Sequence, residues 1–185
     1  DREKATPPSH VRTRSKTAPL VRIDLFLLRH GEAGNRMTVV EKDSERPLTP
    51  EGRTEMQKVA KSLKAVGLQI NQIYTSPLKR ARETAEITAR ILKIPKLEEW
   101  NELKPDGPKE ALYRKLARLE QNSRLILVGH EPYLSSMIGE IIGTTGTRLV
   151  LKKGGLGKVR ITSFTPRISG ELRCLLTPKM ITKMS

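Results

Sequence analysis

The chain holds three histidines, at positions 10, 30 and 130, and two of them share a setting. Phe26-Leu27-Leu28-Arg29-His30-Gly31-Glu32 is an apolar run that ends in a histidine, and Leu125-Ile126-Leu127-Val128-Gly129-His130-Glu131 repeats the design. A neutral imidazole can attack an electrophile or take a proton, and a protonated one can hold an anion. Read singly, a histidine at the end of an apolar run is a capping or surface residue. Read as a pair in a histidine-poor chain, His30 and His130 are candidates for one site. His10 lies among proline, serine and charged residues and draws no role.

Two arginines extend the constellation. Arg29 adjoins His30, and Arg80 lies in Thr75-Ser76-Pro77-Leu78-Lys79-Arg80-Ala81-Arg82-Glu83-Thr84-Ala85. Ser76 reads as a helix N-cap with Pro77 in the first helical position. Arg80 then sits near the first turn, its side chain leaning back toward free N–H groups that attract anions. A cation there opposes the helix dipole, and a bound phosphate would offset that cost. The plainer alternative is a solvated charge, or a pair with Glu83 or Thr84. Ser76, Arg80 and Thr84 share one helix face, and Arg82 points elsewhere.

The elements that must position these residues alternate. Ile23–Leu28 reads as a strand, followed by a polar loop from Arg29 to Pro47. Thr49-Pro50 opens a helix through Met56, Val59, Ala60, Leu63 and Val66, ended by Gly67. Ile70–Thr75 is a strand, and the Ser76-Pro77 helix runs to about Leu92. Leu97–Trp100 is a short strand, and Asn101–Pro108 a loop. Lys109–Gln121 reads as helix, Leu125–Val128 as strand, and Pro132–Ile142 as helix. Strands follow at Arg148–Leu151, Lys158–Thr162 and Glu171–Leu176. This alternation predicts an α/β fold, with a mostly parallel central sheet and an antiparallel edge. Ligands of such sheets bind beyond the carboxyl ends of the strands, where both histidines are placed.

The 185 residues are 36% hydrophobic and carry a formal charge of +15. Such a length fits one domain, which buries roughly 70% of its unfolded surface and needs no disulfide or metal to fold. One cysteine, Cys174, excludes an internal disulfide and a secreted, stapled scaffold. No apolar run reaches the ~18 residues of a membrane helix and no signal-peptide core follows the N-terminus, so a cytoplasmic protein without membrane contact is expected. The charge is concentrated at the ends, with six Lys/Arg against two acids in residues 1–22 and nine against one in 148–185. Residues 1–22 read as a flexible basic arm, and 23–185 as a single catalytic domain. Basic ends suit an acidic partner. The six aromatics are too scattered for a base-stacking platform, so nucleic acid is not the expected partner.

Four blocks, in order, resemble the signature of the histidine phosphatase superfamily, the phosphoglycerate-mutase-like fold. They are Leu28-Arg29-His30-Gly31-Glu32-Ala33, Arg46-Pro47-Leu48-Thr49-Pro50-Glu51-Gly52, Ser76-Pro77 through Arg80-Ala81 to Thr84-Ala85, and Gly129-His130-Glu131-Pro132. The short spacing between Thr84 and His130 leaves no room for a large cap. The chain therefore looks most like the small SixA-type phosphohistidine phosphatases, whose C-terminal portion Lys152-Lys153-Gly154-Gly155 also resembles.

The resemblance implies a three-layer α/β/α sandwich and a metal-independent phosphatase without a cofactor. His30 would be the nucleophile that forms a phosphohistidine intermediate, with Arg29, Arg80 and His130 clamping the phosphoryl oxygens. It implies a proton donor chosen from Glu131, Glu102 and Glu32. The implied substrate is phosphohistidine in an acidic phosphorylated protein, with a monomeric enzyme the expected state. Two alternatives stand beside it. One is a small-molecule phosphomonoesterase or polyphosphatase of the same fold. The other is a non-catalytic basic module that binds phosphate groups or nucleic acid.

Overall fold

The computed structural model describes residues 21–36, 38–144, 146 and 148–184. Most of the expected N-terminal arm, residues 1–20, lies outside the described residues. Of its last two positions, Val21 packs against the core and the Arg22 N–H donates to the Gln121 side chain at 3.1 Å.

Among the described residues six strands form one sheet: β1 (Ile23–Arg29), β2 (Gln72–Thr75), β3 (Leu97–Glu99), β4 (Arg124–Gly129), β5 (Leu156–Ser163) and β6 (Ser169–Leu176). Their order is β3-β2-β4-β1-β5-β6. The first four in that order run parallel, whereas β5 pairs antiparallel with β1, and β6 antiparallel with β5. The expected parallel sheet with an antiparallel edge is what the chain forms.

Among the described residues six α-helices accompany the sheet: α1 (Val40–Ser44), α2 (Pro50–Ala65), α3 (Lys79–Leu92), α4 (Lys109–Leu116), α5 (Tyr133–Ile141) and α6 (Pro178–Ile181). Side chains alternate across a strand, so β1 and β4 feed two cores. Leu25, Leu27, Leu125 and Leu127 pack with Leu112 and Leu116 of α4 and with Leu134, Met137 and Ile138 of α5. Phe26, Leu28, Ile126 and Val128 face the other way, onto Met56, Val59 and Leu63 of α2, Ala81 and Ala85 of α3, and Ile181 of α6. That is the three-layer sandwich. The unbroken apolar runs of β1 and β4 follow from burial on both faces.

Several boundaries differ from expectation. Thr49 caps α2 as its sequence predicts, its hydroxyl accepting from the Gly52 N–H. Ser76 does not cap α3: the helix starts at Lys79, its N-cap residue is Leu78, and no side chain caps it. The Ser76 hydroxyl lies three residues before the helix, where it accepts only the Leu78 N–H and bonds the His130 ring. The loop after β1 contains α1. Helix α4 stops at Leu116 because the chain tightens into i→i+3 bonds at Arg118 and Leu119. Arg148–Leu151 is not a strand, and the Leu151 carbonyl accepts from the Arg29 guanidinium instead of from a neighbouring strand. Helix α6 was not expected, although Thr177-Pro178 repeats the Thr49-Pro50 signal and Thr177 caps it.

Candidate active site

The two histidines are neighbours because their strands are. In the parallel β1–β4 ladder Arg29 is in register with Gly129, so the next residue of each strand leaves the sheet at the same edge. The His30 N–H continues the ladder to the Gly129 carbonyl at 3.1 Å. The two rings lie 5.1 Å apart, centroid to centroid, at 54°. Both are buried, at 6% exposure for His30 and 2% for His130.

Each ring is oriented by one bond. The His30 Nδ1 is 2.7 Å from the Gly31 carbonyl. A carbonyl only accepts, so Nδ1 carries the proton and Nε2 keeps a free lone pair. The His130 Nε2 is 2.8 Å from the Ser76 hydroxyl, which also accepts from the Leu78 N–H at 3.3 Å. The hydroxyl can donate to Nε2 in the tautomer that carries the His130 proton on Nδ1.

Burial and positive neighbours keep both rings neutral. The pKa of His30 is pushed down to about 3, by burial first and then by Arg80, Arg29 and Arg46, against the bond to Gly31. That of His130 falls to about 2, from burial, His30, Arg80 and Arg29, with Asp43 acting the other way. Both arginines therefore bear on both imidazoles. Arg80 is buried on α3, and its Nη1 donates to the Asp43 carbonyl at 2.9 Å. Arg29 Nη1 donates to the Leu151 carbonyl at 3.0 Å.

Some donors here have no partner. Of five buried side-chain polar atoms without a hydrogen bond among the described residues, three are Arg29 Nε, Arg80 Nε and His130 Nδ1. Buried polar groups are normally satisfied, so such a concentration beside two neutral imidazoles is an arrangement that could receive an anion.

Three backbone devices hold the arrangement. The Gly154 N–H donates to the carbonyls of both Arg29 and His30 at 3.1 Å, from a left-handed conformation (φ +69°) that suits glycine. Arg29 N–H donates to the Gly155 carbonyl at 3.1 Å, so the 151–155 segment braces the strand end that carries His30. The start of α2 presses on the loop after His30: a Cβ at Gly52 would stand 2.2 Å from the Glu32 carbonyl oxygen.

The three candidate proton donors are all engaged. Both Glu32 oxygens take the Lys153 ammonium at 2.8 Å, and Oε1 also accepts from the Ala33 and Gly34 N–H groups. Lys153 foremost holds its pKa below the ordinary carboxylate value. Glu102 pairs with Lys115 at 2.7 Å. Burial raises its pKa, and the Lys115 bond with its charge and a backbone bond bring it below the ordinary value. Glu131 Oε1 accepts from the Ser135 N–H at 3.0 Å, in the first turn of α5.

Sequence reasoning missed Asp43 and Arg46. Both are buried, and the Asp43 carboxylate joins Arg46 Nε at 2.9 Å to Arg80 Nη2 at 3.3 Å. Arg46 opens a recognised block, but the i, i+3 spacing of Asp43 and Arg46 alone carried no signal of a link to α3.

A three-layer sandwich with twin histidines at the carboxyl edge of its parallel strands defines the phosphoglycerate-mutase-like class. Known proteins agree. The profile of the histidine phosphatase superfamily (branch 1) matches residues 25–107. An uncharacterized protein of Picosynechococcus sp. is 39% identical over 167 residues, 86% of this chain and 99% of its own. The phosphohistidine phosphatase SixA of Escherichia coli is 30% identical over 122 residues, 64% of this chain and 74% of its own. The structure of the protein histidine phosphatase SixA complexed with tungstate superposes with a TM-score of 0.73 at 25% identity, over 84% of this chain and 97% of that one. The chain belongs to the histidine phosphatase superfamily, which places it among the phosphatases. No described helix is long and apolar enough to cross a membrane.

Proposed function

We propose that this chain is a phosphohistidine phosphatase that acts on phosphohistidine in an acidic protein through a covalent intermediate on His30. One observation carries the reading: a neutral imidazole with a free Nε2 stands beside three unpartnered buried donors. Its similarity to SixA supports the substrate class.

In the first half-reaction His30 Nε2 attacks phosphorus as the bond to the substrate's imidazole nitrogen breaks. The electron pair of that bond leaves with the imidazole, which carries a proton at its other nitrogen or takes one from water. The transferring group spreads its charge over three oxygens. Arg29 and Arg80 Nε–H and His130 Nδ1–H are the donors that meet them, arginine suiting the task because it stays charged and binds phosphate through two N–H groups. In the second half-reaction water attacks phosphorus, the bond to His30 Nε2 breaks, and phosphate leaves with the water proton shared to solvent.

The engaged carboxylates favour a nitrogen leaving group. An alkoxide must be protonated as it departs, a task that general acids typically speed by ~10²–10⁴-fold. Glu32, Glu102 and Glu131 are each held in other bonds. An imidazole leaving group, which accepts protons near pH 7, makes a smaller demand on an enzyme acid. A net charge of +15 fits an acidic protein partner, whose attraction weakens with salt. With a single cysteine, the cytoplasm is the compartment we propose.

The test is phosphate release from a phosphohistidine protein beside a panel of sugar phosphates, alkyl phosphates and polyphosphate, for wild type and His30→Ala. Faster release from the protein, abolished by His30→Ala, supports the proposal. Turnover of the panel faster by orders of magnitude assigns a small-molecule phosphatase. Binding of phosphate without any turnover assigns a binding module.

A further inference from the structure

Behind Arg80 stands a strut that the mechanism has not used. Arg46 Nη1 donates to the Ala33 and Gly34 carbonyls at 2.9 and 3.0 Å, in the loop that follows His30. Its Nε donates to Asp43 Oδ1 at 2.9 Å. The other Asp43 oxygen lies 3.3 Å from Arg80 Nη2, and the Asp43 carbonyl accepts from Arg80 Nη1 at 2.9 Å. All three side chains are nearly sealed from solvent, at 10%, 12% and 6% exposure for Arg46, Asp43 and Arg80.

We infer that Asp43 is a positioning residue for the phosphoryl site: it grips the two Nη groups of Arg80 through its carboxylate and its carbonyl, and so presents the Nε–H edge to the transferring group. The inference rests on the phosphatase reading above. A guanidinium has five N–H donors on a plane. Fixing the Nη side leaves Nε–H, which is buried and unpartnered, as the edge that a phosphate oxygen meets. The same carboxylate bridges two like charges: burial foremost, then Arg46, disfavours the charged form of Arg80, and Asp43 favours it.

Charge alone gives the opposite expectation. An acid beside an anion site repels the anion, so neutralising it should tighten phosphate binding. The positioning role gives weaker binding on the same substitution, because Arg80 loses its grip and faces Arg46 without a shared counterion. The sign of the change decides.

The experiment measures inorganic phosphate affinity by calorimetry on the full chain for wild type, Asp43→Asn, Asp43→Ala, Asp43→Glu, Arg80→Ala and the Asp43→Asn/Arg80→Ala double variant. The expected result is phosphate affinity lower by roughly tenfold to a hundredfold in Asp43→Asn and Asp43→Ala, the loss of one charge-assisted bond. Asp43→Glu, with the charge kept, recovers part of it. In the Arg80→Ala background Asp43→Asn costs nothing further, as a residue acting through Arg80 requires. If the alanine variant fails to fold, the near-isosteric Asp43→Asn and Asp43→Glu pair carries the measurement. Phosphate bound as tightly or more tightly by Asp43→Asn overturns the inference and leaves the phosphatase reading standing. No phosphate binding and no turnover by wild type overturns both.

Discussion

Thr84 of α3 accepts the Gly31 N–H on its hydroxyl at 3.1 Å and returns its own proton to the Arg80 carbonyl at 2.7 Å. One hydroxyl thereby ties the turn that follows His30 to the helix turn that carries Arg80. Thr84 is fully buried, so no water can replace it. Thr84→Val keeps the shape and leaves the Gly31 N–H unsatisfied. The expected cost is about 1–3 kcal/mol in urea unfolding, with a fall in kcat beyond what lost folding explains.

Both site imidazoles should resist protonation. Their folded pKa values lie far below the ordinary 6.5, so the folded protein leaves them neutral where the unfolded chain takes up protons. Stability is then at its full value above pH 6.5 and falls as pH drops from there toward 3, at most ~1.4 kcal/mol per pH unit for each histidine. Histidine ring carbon shifts followed by NMR check the cause: the His30 and His130 signals should stay in place from pH 8 to 5. A titration midpoint near 6.5 in the folded protein would show that burial does not govern these groups.

The bound carboxylates make a kinetic prediction. Glu32→Gln, Glu102→Gln and Glu131→Gln should each leave phosphohistidine turnover within about threefold of wild type, far from the ~10²–10⁴ of a general acid. Measured kcat values on a phosphohistidine protein decide it. A hundredfold loss in any one of them identifies a proton donor and removes the argument for a nitrogen leaving group.

Close approach at Gly52 is also testable. A methyl there would lie 2.2 Å from the Glu32 carbonyl oxygen, a backbone atom that cannot step aside alone. Gly52→Ala should destabilise the protein by ~1–3 kcal/mol or more. The start of α2 would shift against the loop after His30, and kcat/KM should fall with it. A melting temperature equal to wild type would contradict the packing described.

Much of this was legible in residues 23–144. The runs ending at His30 and His130 carried both strand and site, because a strand buried on two faces must be apolar and its first polar residue must lie at the sheet edge. Arg80 does lie in the first turn of α3, as the sequence predicts, although Ser76 is not the cap. The Ser-Pro pattern gives a local preference, but the helix starts three residues after Ser76, whose hydroxyl bonds a buried imidazole 54 positions away. Thr177-Pro178 carries a weak helix signal because α6 has a single turn and little apolar pattern. Asp43 could not be read at all: its contact to Arg80 spans 37 positions and exists only once α1 folds over α3. Arg148–Leu151 looked like a strand from its apolar residues, but its carbonyl serves Arg29.

Everything proposed for the reaction depends on a covalent bond between phosphorus and His30 Nε2. Brief exposure of the protein to a radiolabelled phosphohistidine protein, quenched in alkali and mapped by peptide, tests it most directly. Acid-labile label is expected on the peptide that contains His30, with neither label nor turnover in His30→Ala. Undiminished phosphate release by His30→Ala would contradict it.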